Sequence, residues 1–143
     1  EHKKGIESRR GRASFMNIVP TSTGAASGIG KVIPSLEGKL DGSALRVPVG
    51  TGSVIDLVLE LDKEVSVDEI NLMFKNNSND TIHFTVDPIV SSDVIGTSYG
   101  AIVDGLLTKV LNSEAGQLVK VVAWYDNEMG YCNQMLRTIK KFK

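Results

Sequence analysis

The chain has 143 residues, 41% of them apolar and 23% charged, with a formal net charge of −1 at pH 7. That length and composition suit one ordinary globular domain with a sizeable core, and the near-neutral charge gives no basis for a nucleic-acid partner or an anionic membrane surface. The single cysteine, Cys132, excludes an internal disulfide and fits a reducing compartment, and no apolar run reaches the roughly 18 residues that a membrane span needs.

Residues 1–12 are polar and basic, with Arg9, Arg10 and Arg12 close together; charge alone predicts a solvated arm. Glu1-His2-Lys3-Lys4 has no signal-peptide core behind it and the chain does not begin with methionine, which fits a fragment or a processed product. Phe15 to Pro20 forms an extended apolar segment closed by proline. Thr21 to Gly30 is small, hydroxylated and rich in glycine, so a short helix is expected to start near Gly24 and to end before Pro34. Beyond the turn Leu40-Asp41-Gly42, strands are expected over Ser43 to Val49 and Ser53 to Leu61, joined as a hairpin through Gly50-Thr51-Gly52. In the second strand Ile55, Leu57, Leu59 and Leu61 alternate with Asp56, Val58 and Glu60, the period of a half-buried strand.

Ser66-Val67-Asp68-Glu69 is a capping box, with Val65 and Ile70 placed as a hydrophobic staple, and Ile70, Met73 and Phe74 share one helical face. The helix gives way to the loop Asn76-Asn77-Ser78-Asn79-Asp80, whose two glycosylation-like tripeptides are read as loop residues of an unsecreted protein. Thr81 to Val86 alternates and stops at Asp87-Pro88. Ala101 to Leu111 is ambiguous, with Thr108 and Val110 favouring strand, and Gln117 to Tyr125 is a strand. Tyr131, Met135, Ile139 and Phe142 recur at helical spacing, and Lys140, Lys141 and Lys143 follow where cations suit the helix dipole. The class implied is α+β: a largely antiparallel mixed sheet with helices packed on one face, plus a C-terminal helix.

Three stretches carry more polar equipment than their turns require. Thr21-Ser22-Thr23-Gly24-Ala25-Ala26 runs into a helix start, where free amides and the dipole suit an anion and glycine leaves room for an oxyanion; the same hydroxyls serve equally as caps. Arg10 or Arg46 would supply forked counter-charge in one cleft with that helix start. Arg46, between Leu45 and Val47 in a strand, otherwise just faces solvent. Asn127, in Trp124-Tyr125-Asp126-Asn127-Glu128-Met129-Gly130-Tyr131, is either a turn residue or an amide free to pair with another amide. Gly28-Ile29-Gly30-Lys31 is no phosphate loop, because Ala25 and Val32 stand where a glycine and a hydroxyl are needed. Cys132 has no histidine near it in sequence and is expected to be buried or half-buried; His83 is expected to face outward, and His2 and His83 are too scattered for a metal site.

The Arg-rich arm before Asn17-Ile18-Val19-Pro20, the Thr23-Gly24 turn, Leu45-Arg46-Val47-Pro48-Val49, Asp87-Pro88-Ile89-Val90-Ser91-Ser92-Asp93 and Tyr125-Asp126-Asn127-Glu128, in that order, resemble the C-terminal, catalytic-domain portion of phosphorylating glyceraldehyde-3-phosphate dehydrogenases. The resemblance implies that Thr23 and Gly24 line the site of attacking inorganic phosphate with Arg10 assisting, and that Arg46 holds the phosphate of the triose. It implies that Asn127 and Tyr131 contact the nicotinamide of NAD. His2 to Ser8 departs from the family pattern, so Arg10 is assigned by counting back from Thr23-Gly24. The family's nucleophile and base occur in Ser-Cys-Thr-Thr-Asn-Cys and His-Ala-Tyr-Thr runs, and neither is present here. The expectation is therefore no catalytic residue in this chain, which would be inert alone. Residues 1–129 would form part of the catalytic domain, and residues 130–143 a helix packing on an absent dinucleotide-binding domain. The whole would be a cytoplasmic homo-oligomer, a tetramer in this family, acting on triose phosphate. The alternatives are an inert binding or assembly module derived from the same fold, or a sister dehydrogenase of a four-carbon sugar phosphate.

Overall fold

A computed structural model describes residues 5–142; Glu1-His2-Lys3-Lys4 and Lys143 lie outside the described residues. The chain divides between Gly50 and Thr51 into two compact units.

In the first unit, 3₁₀ turns at Gly5–Gly11 and Ser14–Met16 lead into strand β1 (Val19–Ser22), helix α1 (Ala25–Val32), a further 3₁₀ turn (Pro34–Leu36) and strand β2 (Ser43–Arg46). The helix closes with Ile33 N–H donating to Ile29 O at 2.8 Å. Pro34 then removes the next donor and holds Ile33 extended, at φ −123°. β1 and β2 pair antiparallel with Val19 opposite Arg46, Thr21 opposite Ala44 and Ser22 opposite Ser43. The basic arm is solvated, as expected, with residues 8–13 all exposed, but it is ordered. It winds into a 3₁₀ turn packed on β1, because the Arg10 Nε–H donates to Thr21 Oγ1 at 2.6 Å.

The second unit runs β3 (Ser53–Glu60), α2 (Val67–Asn76), β4 (Ile82–Thr85), a 3₁₀ turn (Ser91–Val94), β5 (Ala101–Asp104), β6 (Lys109–Ser113), β7 (Gly116–Tyr125) and α3 (Met129–Lys140). Among the described residues its strands form a five-stranded sheet ordered β3-β7-β5-β4, with β6 also on β7. β4 and β5 are parallel and the other pairs antiparallel. This is the expected α+β class with a mixed, largely antiparallel sheet. Val119, Val121 and Ala123 alternate along β7 toward one face and meet Ile70 of α2 and Val103 of β5; Leu59, Val65, Phe74 and Phe84 pack around them. Ser66 caps α2, its Oγ accepting from Glu69 N–H at 3.2 Å while the Glu69 carboxylate accepts from Ser66 N–H at 2.7 Å.

Several expectations are corrected. β2 and β3 do not form a hairpin. β2 pairs with β1 and β3 with β7, the eight-rung β3–β7 ladder running from Ser53 opposite Tyr125 to Glu60 opposite Leu118. The connection carries Pro48, which has no N–H for a ladder, and Gly52 sits at φ +87°. As an edge strand, β3 leaves Ile55 and Leu57 each 42% exposed, although the alternation correctly turns Leu59 to the core. Ala101 to Leu111 is two strands, interrupted at Gly105, where an added Cβ would stand 2.5 Å from the Phe84 ring. Met73 is exposed rather than packed beside Ile70 and Phe74. His83 is half-buried and stacked on Tyr99 with ring centres 4.7 Å apart. Cys132 is exposed on α3, a helix that meets the sheet where Gly130 lies under Tyr99 O and where Arg137 donates to Ser98 O at 3.0 Å. No described helix is long and apolar enough to cross a membrane.

Candidate functional site

In the first unit the cationic and hydroxyl groups are organised by the β1–β2 ribbon. Residues directly opposite on an antiparallel pair point to the same face, and positions two apart along a strand share it. Arg46, opposite Val19, therefore lies on the face that carries Thr21, one diagonal rung away, a separation of about 7 Å between Cα atoms. Thr21 is buried and holds Arg10, whose Nη2 also reaches Ser22 O at 3.4 Å. The ribbon thus carries the guanidinium of Arg10 on the face of Arg46. Arg9 and Arg12 go elsewhere. A 3₁₀ turn nearly eclipses residues three apart, and these two line a shallow 250 Å³ depression with Asn17, Ile18, Val19 and Pro20.

Thr23 and Gly24 follow β1 at the other end of the ribbon. Thr23 Oγ1 accepts from Ala25 N–H at 3.2 Å, so this hydroxyl does cap α1. The first intrahelical bond is Gly28 N–H to Gly24 O at 2.9 Å, which leaves the Ala26 and Ser27 amides in the first turn with no helix carbonyl four residues back. Gly24 has an ordinary φ of −91°, and the space where its Cβ would stand is open. The adjoining cleft, about 340 Å³, is lined by Thr23, Ser27 and Lys31, but also by Glu37 and Asp41. Neither Arg10 nor Arg46 lines it. The register sets Arg46 opposite Val19, at the far end of β1 from Thr23, so among the described residues the guanidinium groups do not line the cleft at the helix start. Gly28-Ile29-Gly30-Lys31 lies inside α1, not in a loop.

In the second unit Asn127 and Tyr131 are both exposed, the former in the turn after β7 and the latter on α3. The turn is built on Asp126. Its Oδ1 accepts from Glu128 N–H and Met129 N–H, each at 2.8 Å, and its Oδ2 accepts from Gly96 N–H at 2.8 Å. These amides, that of Gly96 foremost, hold the carboxyl below the usual aspartate range despite its burial. Asp126 thereby caps α3 and fixes the backbone on both sides of Asn127. The Asn127 side chain has its own partner, Ser53, whose Oγ–H donates to Oδ1 at 2.7 Å. Ser53 was not singled out in the sequence; it lies far from Asn127 along the chain, and the only signal for it is the pairing of β3 with β7. Among the described residues no cluster of His, Cys, Asp and Glu is arranged to hold a metal ion.

Residues 1–127 match the model of the family described as glyceraldehyde 3-phosphate dehydrogenase, C-terminal domain. The chain belongs to the glyceraldehyde-3-phosphate dehydrogenase family. Glyceraldehyde-3-phosphate dehydrogenase of Streptococcus dysgalactiae subsp. equisimilis is 59% identical over 141 residues, 99% of this chain and 42% of that protein. The Streptococcus pyogenes serotype M1 protein of the same name is 60% identical over 139 residues, 97% of this chain and 41% of that protein. That of Clostridium pasteurianum is 52% identical over 141 residues. The chain spans about two fifths of the length of these relatives. Within the glyceraldehyde-3-phosphate dehydrogenase family the landmarks read in the sequence are thus segments of the C-terminal domain, and the ribbon, the start of α1 and the Asp126 turn are the frames that carry them.

Proposed function

We propose that the chain is part of a glycolytic, cytoplasmic oxidoreductase that oxidises and phosphorylates glyceraldehyde 3-phosphate with NAD and inorganic phosphate. Two phosphoryl groups take part in that reaction, one carried by the triose and one attacking. The ribbon supports a separate position for each. Arg46 serves the triose phosphate through its planar, forked donors. The open amides of Ala26 and Ser27, with Thr23 and Gly24, serve inorganic phosphate. Arg10, fixed on Thr21 between them, adds positive charge to the same face. The observation that carries the reading is this arrangement: two arginines on one face of a ribbon that runs directly into an unoccluded helix start.

Asn127 and Tyr131 are the cofactor-facing residues of this reading. The exposed Asn127 amide, with its oxygen already taken by Ser53, suits a carboxamide. Bound NAD would accept the hydride. This chain's part is to hold and orient the nicotinamide and to neutralise phosphate charge. The thiol and base of the reaction come from elsewhere in the enzyme, since Cys132 is exposed on α3 and makes no hydrogen bond to a histidine among the described residues. α3 leaves Tyr131, Ile139 and Phe142 between 53% and 87% exposed, an apolar stripe suited to packing on a dinucleotide-binding domain. The exposed Phe15, Met16, Ile18 and Leu45 suit burial in a homotetramer.

The test is Arg46→Ala in the full-length enzyme. Losing a charge-assisted phosphate contact in a closed site costs about 2–5 kcal/mol. The KM for the triose phosphate should therefore rise about thirtyfold or more, with little change in the KM for NAD. An unchanged triose-phosphate KM and kcat would refute the role given to Arg46.

A further inference from the structure

We infer that Asp41–Gly42 is a site of spontaneous covalent modification, at which the Gly42 nitrogen closes on the Asp41 side chain to a succinimide that reopens to isoaspartate. The chain holds two Asp–Gly pairs, Asp41–Gly42 and Asp104–Gly105, and no Asn–Gly pair. Ring closure needs a carboxyl group folded onto the following amide, a nitrogen not tied to another carbonyl, and space for the backbone to turn. In both pairs glycine removes the Cβ that would crowd the ring. The fold then makes the two pairs unequal.

At the first pair every condition is met. The Gly42 N–H donates to Asp41 Oδ1 at 2.7 Å, so the carboxyl group already lies against the nitrogen that would attack it. Both residues are exposed and lie outside regular structure, just ahead of β2. Nothing stands within 4 Å of the place that a Gly42 Cβ would occupy. At the second pair every condition fails. Asp104 is 2% exposed, and its carboxylate accepts from Trp124 Nε1–H at 3.0 Å and from Leu106 N–H at 3.1 Å. The Gly105 N–H donates instead to Thr85 O at 2.8 Å, and the Phe84 ring fills the space beside Gly105.

The reaction consumes no oxidant and needs no partner but water. A bond forms between the Gly42 nitrogen and Asp41 Cγ, a Cγ–O bond breaks, and the carboxyl hydroxyl leaves with the amide proton as water. Water then re-enters at either imide carbonyl. Attack at Cγ restores aspartate. Attack at the Asp41 main-chain carbonyl breaks its bond to Gly42, and the chain then runs through Cβ and Cγ. The product keeps one carboxylate but adds a methylene to the main chain beside the Ser22–Ser43 rung. It also displaces the carboxylate that lines the cleft with Thr23 and Lys31.

The test ages the 143-residue chain at neutral pH, folded and in parallel in urea. Tryptic peptides are then assayed for methyl transfer by an isoaspartyl methyltransferase, and fragmentation places each isoaspartate. Peptide 40–46 contains Asp41 as its sole acidic residue, and peptide 76–109 contains Asp104. In the folded chain Asp41 should convert about tenfold or more faster than Asp104, and in urea the difference should largely disappear. Equal rates in the folded chain, or no isoaspartate at Asp41, would overturn the inference. So would a difference that persists in urea, since it would come from neighbouring residues and not from the fold. Ageing in ¹⁸O-labelled water should place heavy oxygen in the isoaspartate; its absence would exclude the succinimide route. Gly42→Ala, for which the open space leaves room, should slow conversion about fivefold or more with an unchanged circular dichroism spectrum. Asp41→Glu, which would need a larger ring, should abolish it, and undiminished methyl transfer to peptide 40–46 in both variants would refute the assignment.

Discussion

Residues 5–50 and residues 51–142 solve the problem of stability differently. The second unit has a conventional core, with Val119 1%, Val103 3% and Ile70 6% exposed against a five-stranded sheet. In the first, the residues described as buried are Val19, Thr21 and Gly30, while Val32 is 81% and Phe15 76% exposed. Its described order comes from a short ladder, an eight-residue helix and the Arg10–Thr21 bond. The difference separates scaffold from equipment. The unit with a core presents Asn127 on a turn fixed by the buried Asp126, whereas the first unit has few buried apolar groups among its described residues.

That contrast can be broken most sharply by paired truncations. Val119→Ala should lower the stability of the chain by about 2–3 kcal/mol, through lost burial plus a residual cavity. Val32→Ala should stay within about 0.5 kcal/mol; denaturant midpoints at constant slope measure both. Equal losses would show that the first unit has a hidden core. A smaller effect sharpens the description of the second unit: Ser66→Ala removes the oxygen that caps α2 and should cost about 1 kcal/mol, with Ser66→Asp restoring most of it. Smaller still is the response to acid. Glu69, stabilised as carboxylate first by the Ser66 N–H and then by the Ser66 hydroxyl, and Asp126, stabilised first by the Gly96 N–H, are both held below their ordinary values. A depressed carboxyl contributes its stability fully above the unfolded value, near pH 4, and loses it as the pH falls through the folded value. Unfolding of the second unit should therefore be insensitive to pH from 7 to 5 and ease progressively below 4, with Asp126→Asn flattening that slope.

Sequence reasoning succeeded where a feature is decided within a few residues. The Ser66–Glu69 box, the stop of α1 before Pro34 and the apolar period of α3 all appear in the structure. It failed where the partner is distant. β2 and β3 are neighbours in sequence with a glycine-rich bend between them, yet each finds a better ladder elsewhere, and nothing local in Ser43 to Arg46 announces that Val19 to Ser22 will claim it. The environments of His83 and Cys132 failed for the same reason, since Tyr99 and the packing of α3 set them. The candidate site was legible mainly through resemblance. Arg46 flanked by Leu45 and Val47 is by itself only a polar position on a strand, and its relation to Arg10 emerges from the ladder register. The Ser53–Asn127 pair could not be read at all until β3 was placed against β7.

The central claim is that the ribbon offers two distinct oxyanion positions, one at the start of α1 and one at Arg46. Titration of the ¹⁵N-labelled chain with inorganic phosphate tests it most directly, with the amides of Ala26 and Ser27 and the side-chain Nε–H of Arg46 as reporters. The account predicts saturable shifts in both groups, with Arg46→Ala leaving the Ala26 and Ser27 response in place. Shifts that never saturate, or amides that remain still while phosphate is raised, would contradict it.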